Sequence, residues 1–242
     1  MKMGDFIMSK AILTIDDGPT TLTPSMIDYL KTKNIMPILF FYGHQLENHF
    51  EEGLYALQQG AIIGNHSYSH PNFDNLTYEE CIREIEKQEA LLDRLFQAAG
   101  IERTYKLFRF PYGAKGGKNK ALIQQYLHEH GYNRVDDSQI DIKWYIDNGL
   151  NTDIDSFWTF DFMEYQLNNS ADFTFESILQ RIHDPNPVTG APLLAEDLNH
   201  IILIHDHEST NKILPNYFEI LIDYVVEAGV EFTAPRISVV KR

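Results

Sequence analysis

The chain has 242 residues, 43% of them hydrophobic and 23% charged, enough apolar material for one large α/β domain. Its net charge of −15 argues against partners that need a basic face, nucleic acid and anionic membrane among them. No apolar run approaches the roughly 20 residues that span a bilayer, and the single cysteine, Cys81, has no internal partner and leaves the redox compartment open.

Residues 1–10 read as an N-terminal extension and 11–242 as a single domain. The extension lacks the apolar core and small-residue cleavage site of a secretory signal. Two compartments stay open: the cytoplasm, or the cell envelope if an export signal has been removed. Lys10 to Ile15 predicts a first strand, and Thr23 to Lys33 a helix with Met26, Ile27 and Leu30 on one face. Pro37 to Tyr42 predicts a second strand, Phe50 to Gln59 a helix stopped by Gly60, and Ala61 to Gly64 a short strand.

Thr77 opens a longer helix to about Ala99, with Glu80 completing a capping box and Gly100 ending it. Tyr105 to Phe110 predicts a strand, Lys118 to Glu129 a helix, and Tyr132 to Ile142 a weaker strand. Between Trp144 and Asn169 periodicity fails, which predicts irregular cover over a site. Phe173 to His183 predicts a helix, His200 to Ile204 a strongly apolar strand, Pro215 to Ala228 a helix, and Gly229 to Thr233 a last strand. This alternation predicts a parallel α/β architecture.

The chemistry gathers just after the strands. Asp16 and Asp17 end the first one, where two like charges repel and resist desolvation, so the pair calls for a use beyond stability. His66 and His70 are four apart, which on one helical turn would face both rings the same way. One carboxylate and two imidazoles form a ligand set for zinc or a similar ion. The neighbouring carboxylate is then free to serve as a base toward water. Asp-Gly-Pro is also ordinary turn chemistry, so the context decides.

Arg109-Phe110-Pro111-Tyr112-Gly113 offers an arginine for Asp16 and a loop whose backbone N–H groups could face an oxyanion. His205 ends another apolar run, with Asp206 and His207 leaving open which residue is chemical. Parallel barrels carry function at the C-terminal ends of their strands, where all these groups fall.

Five segments in order, Thr14 to Pro19, Phe40 to Gly43, Gly64 to Pro71, Arg109 to Gly113 and Ile202 to Asp206, carry a resemblance. They resemble the polysaccharide deacetylase (NodB-homology) family of metal-dependent carbohydrate esterases. The resemblance implies a distorted, incomplete (β/α) barrel and hydrolysis of N-acetyl groups on amino-sugar polymers such as peptidoglycan or chitin. It implies that Asp17, His66 and His70 hold one divalent metal, zinc first, with cobalt or nickel as alternatives. Asp16 would be the general base, Arg109 its orienting partner, the Tyr112 backbone N–H an oxyanion donor, and His205 the general acid. The expected partner is an acetylated amino-sugar polymer or oligosaccharide, and the oligomeric state is not legible.

One motif departs. The family places an Asp directly before a Trp after the Gly131-Tyr132 region, in support of the acidic histidine. Here Asp141-Ile142-Lys143-Trp144 puts Lys143 in that place, with Asp141, or Asp155 ahead of Trp158, as substitutes. Tyr68, Phe73, Tyr112, Trp144 and Trp158 are candidates for stacking on sugars, with core packing as the competing role. O-acetyl ester hydrolysis on xylan, cyclic-amide hydrolysis of the allantoinase type, and carbohydrate binding without turnover stand as alternatives.

Overall fold

The apolar runs meet in one parallel sheet. The computed structural model describes residues 9–238, so most of the proposed N-terminal extension lies outside the described residues. Lys10, its last member, already opens β1 (Lys10–Asp16). There follow α1 (Thr23–Thr32), β2 (Ile38–Phe41), α2 (Gly43–Asn48), α3 (Phe50–Gln58), β3 (Ile62–Asn65) and the long α4 (Tyr78–Ala99). Next come α5 (Lys120–Glu129), β4 (Arg134–Val135), α6 (Lys143–Asp147), β5 (Phe160–Asp161), α7 (Gln166–Asn169) and α8 (Phe175–Ile182). The described chain ends with β6 (Asn199–His205), α9 (Glu208–Ile213), α10 (Tyr217–Glu227), β7 (Glu231–Phe232) and β8 (Ile237–Ser238).

The main sheet runs β3-β2-β1-β6-β5, with β7 beside the lower half of β1, and every pairing in it is parallel. Its strands are near-continuous apolar runs because helices cover one face and the barrel interior the other. Leu13, Ile15, Leu39, Phe41, Ile202 and Ile204 pack in one cluster with Met26, Ile27 and Leu30 of α1 and Leu221, Ile222 and Val225 of α10. The boundaries of α4 follow local chemistry: Thr77 and Glu80 form the capping box, and Gly100 takes the left-handed φ of 67° that a C-terminal stop requires. No helix among the described residues is long and apolar enough to cross a membrane.

Three expectations change. Residues 105–110 form no ladder: Phe108 makes one isolated parallel bridge with Asn65, and on its other side its carbonyl accepts from Ser156 N–H, 2.8 Å away. The segment is therefore joined to β3 by two backbone bonds at Asn65 and to the stretch before β5 by one at Ser156, and the barrel is incomplete on that side. The predicted strand over 132–142 shrinks to β4, paired antiparallel with β8, because Asp136 and Asp137 turn to polar partners at Ser138 and Arg134. The stretch from Trp144 to Asn169 is irregular only in part, since it contains α6, β5 and α7.

Candidate active site

β1 and β6 pair in register with Asp16 opposite His205, so the two strand ends deliver their polar residues side by side. Asp206 N–H donates to the Asp16 carbonyl at 2.9 Å and fixes this edge. Beyond it Asp17 adopts a φ of 70°, a conformation that short polar side chains tolerate better than bulky ones. A side chain at Gly18 would place its Cβ 2.9 Å from Asp206 Oδ2 and 3.1 Å from the Phe41 ring, so the turn requires glycine.

β3 ends at Asn65, whose Nδ2 donates to the Ile85 carbonyl and Glu89 Oε1 and whose Oδ1 accepts from Ser67 N–H. The two histidines that follow do not share a helical turn. Ser67 and His70 have φ of 66° and 57°, and Glu84 on α4 accepts from Tyr68 N–H, Ser69 N–H and Ser69 Oγ. A carboxylate and an amide thus satisfy the loop, in place of the carbonyls a helix would offer.

This loop brings the expected ligand set together. Asp17 Oδ1 lies 3.5 Å from His66 Nε2 and 3.0 Å from His70 Nε2, and the three atoms fall within 4.8 Å of one another. His66 Nδ1 is 2.8 Å from the Arg109 carbonyl oxygen, which can only accept, so Nδ1 carries the hydrogen. In the uncharged ring Nε2 then presents a bare lone pair. Asp17 Oδ1 is buried and makes no well-directed hydrogen bond. Lone pairs converging on one point fit a cation. Burial pushes the Asp17 carboxyl up, but His207, His66 and His70 outweigh it and hold the group well below the ordinary range.

Arg109 is fully buried and lies over the Phe40 ring at 4.4 Å. Its Nη1 donates to Asp16 Oδ1 and to Thr14 Oγ1, both at 2.8 Å, and its Nε to the Ser156 carbonyl at 3.1 Å. Asp16 is thereby tied through one oxygen, while Oδ2 faces the ligand set, 3.6 Å from His66 Nε2. The arginine does meet Asp16.

On the other flank, His205 Nδ1 lies 3.0 Å from Glu164 Oε1, which also accepts from His205 N–H. Glu164 is fully buried, and Asp161 joins the same cluster. Burial pushes the His205 imidazolium down, but Glu164, with Asp161 and Asp17, outweighs it and raises the group to about 10. Burial pushes Asp161 up to about 6.

Glu164 corrects the sequence reading. Lys143 is exposed at the start of α6 and pairs with Asp147 at 2.5 Å, Asp141 is exposed, and Asp155 is bound to Lys115 at 3.0 Å. None of them touches His205. The acid-before-aromatic pair is Glu164-Tyr165, with the Tyr165 ring edge-on to His205 at 4.8 Å. Glu in place of Asp and Tyr in place of Trp disguise the motif. Its one sequence signal is an acid followed by an aromatic after an apolar Phe160-Phe162 pattern.

Asp16, Asp17, His66, His70, Asp161 and His205 line a cleft of about 470 Å³. Tyr112 sits on its rim, 68% exposed, with φ of 58° and its ring 4.7 Å from that of His70. Trp158 and Leu203 line it too, whereas Phe73 is fully buried in the core and Tyr68 and Trp144 lie outside the lining. Of the two neighbours of His205, Asp206 is buried against Thr20 and Thr23, and His207 reaches Asp17.

Fold and site together define a parallel α/β barrel relative whose strand ends bring together Asp17, His66 and His70, a group that could hold a metal ion. The chain belongs to the polysaccharide deacetylase family, whose sequence pattern matches residues 6–135. It is 36% identical over 111 residues to the peptidoglycan-N-acetylglucosamine deacetylase of Bacillus cereus, a match covering 46% of this chain and 38% of the relative. Chitin deacetylase 1 of Cryptococcus neoformans var. grubii is 31% identical over 158 residues, covering 62% of this chain and 32% of the relative. The chain thus spans well under two thirds of the length of these relatives. The chitin deacetylase structure from Colletotrichum lindemuthianum superimposes with a TM-score of 0.61 at 20% identity, over 93% of this chain and 85% of that one. That likeness speaks to the fold: a distorted, incomplete barrel, as the resemblance implies.

Proposed function

We propose that this protein is a metal-dependent deacetylase that hydrolyses N-acetyl groups on an amino-sugar polymer and releases acetate. One observation carries the reading: Asp17 Oδ1 meets His66 Nε2 and His70 Nε2 beside an Asp16 carboxylate tied to Arg109. Relatives named for peptidoglycan and chitin support the substrate class. A divalent ion on Asp17, His66 and His70, zinc first with cobalt or nickel as alternatives, would supply charge that acidifies water toward a pKa of roughly 7 and polarises an acyl oxygen.

The chain's own residues do the rest. Asp16 accepts the proton of the attacking water at Oδ2, the oxygen Arg109 leaves free. The Tyr112 backbone N–H, from the residue whose ring lies beside His70, would meet the developing oxyanion, and Leu203 and Trp158 would offer an apolar wall to the acyl methyl. His205, engaged at Nδ1 by Glu164 and raised to about 10, holds a proton at neutral pH and delivers it from Nε2 to the departing nitrogen. An amine leaves poorly without that proton. Lys143, the one departure that favours a carbohydrate binder without turnover, lies away from the site, and Glu164 stands beside His205 instead.

The test is incubation of metal-loaded and chelator-treated protein with N-acetylglucosamine oligomers, acetylated xylan and allantoin, assaying acetate and ammonia. Acetate from the oligomers in the loaded sample alone is expected. A protein with no bound transition metal, and no acetate after addition of zinc, cobalt or nickel, would overturn the proposal.

A further inference from the structure

His207 stands two residues beyond His205, the strand partner of Asp16, and is one of the residues the sequence leaves without a role. Its Nε2 lies 2.7 Å from Asp17 Oδ2, the carboxylate oxygen opposite the one that faces His66 and His70. An ionised carboxylate only accepts, so this nitrogen carries the hydrogen and donates it. The residue is held in place from behind. Its backbone N–H donates to the Tyr217 hydroxyl at 3.1 Å, and that hydroxyl donates to the His205 carbonyl. Its ring lies nearly parallel to the His205 ring, 5.4 Å away at 26°. The side chain is 28% exposed and lines the cleft, so core packing does not explain where it points.

We infer that His207 is a positioning residue for the metal. The inference rests on the metal-binding reading of Asp17, His66 and His70. With Oδ2 engaged by His207, Asp17 offers the ion one oxygen, Oδ1, the atom already turned to the two imidazoles. Without that bond both oxygens could swing onto the ion, consuming a coordination position that water or the acyl oxygen needs. The hydrogen bond also fixes the ligand's orientation before the ion arrives. Groups that orient a ligand in this manner typically change metal affinity 10–100-fold.

The full chain, stripped with a chelator and checked for folding by circular dichroism, is titrated with zinc against a chromophoric competitor and separately with Co(II), reading visible absorption. His207→Phe and His207→Ala, which lack the donor, should bind zinc about 10–100-fold more weakly. Their Co(II) bands should weaken as the coordination number rises. His207→Gln, which keeps an N–H at the corresponding reach, should recover most of the affinity. Wild-type affinity and spectrum in both donorless variants would overturn the inference, as would a Gln variant as weak as the Phe variant, which marks a direct ligand. His66→Ala serves as the control: zinc bound there as in wild type would sink the metal reading itself, a different failure.

Discussion

At the scale of single residues, the site separates two jobs that a lone carboxylate could not do together. Asp17 turns an unpaired oxygen to the imidazoles, and Asp16 is tied to Arg109 and left free on its other side. Asp16→Asn should therefore keep the metal by elemental analysis yet lose about 10²–10⁴-fold in turnover, the usual contribution of a positioned base. The acid side yields a pH prediction with a definite sign. If His205 is the proposed acid it must be protonated, so activity should persist below its pKa and be lost as pH rises through it. Glu164 holds that value at about 10, and Glu164→Gln removes the responsible charge. The alkaline limb of kcat/KM should then move to lower pH; an unmoved limb would exclude Glu164 as the support. Glu164 also marks where sequence reading stops. Asp16, Asp17, His66, His70, Arg109 and His205 are legible because their spacing to apolar runs is regular. Glu164 is not, because it lies on a connection of four residues between two short elements, β5 and α7, with only the aromatic Tyr165 after it to mark it.

At the scale of elements, the histidine loop shows why a spacing can be read correctly and its geometry wrongly. Four residues apart suggests a helical turn, but the left-handed Ser67 and His70 make the loop a different object, held by Asn65 from β3 and Glu84 from α4. Nothing in the local pattern announces an acceptor fourteen residues beyond His70. Glu84→Ala should leave α4 intact by circular dichroism yet weaken zinc binding by about 10-fold, since the loop that carries His70 loses its brace at Tyr68 and Ser69. Unchanged zinc affinity would show that the loop holds its shape unaided. The capping box and Gly100 stop of α4 were fully legible, because those signals are local.

For the molecule as a whole, the parallel α/β architecture follows from the alternation of runs and helices, while closure does not, because isolated bonds between irregular segments leave no periodic trace. Stability carries a pH dependence of its own. His200 on β6 is buried, with Nδ1 at 3.0 Å from Thr159 Oγ1, and burial lowers it from 6.5 to about 4. Between those values the unfolded chain binds a proton that the folded chain refuses, so stability is lost as pH falls through that window. From pH 7.5 to 5 this amounts to about 2 kcal/mol. Urea titrations should show that loss in the wild type and a shallower one in His200→Gln; equal slopes would remove His200 as the cause.

The gap in the barrel wall has a further consequence. Ser156 and Phe108 meet there by one backbone bond, and the Arg109 guanidinium spans the same place, from the Ser156 carbonyl to Thr14 and Asp16. A sparsely bonded seam in the wall and the orientation of Asp16, the proposed base, thus depend on one side chain. On warming, turnover should fade several degrees before the helices melt, the seam opening while the rest of the wall still stands.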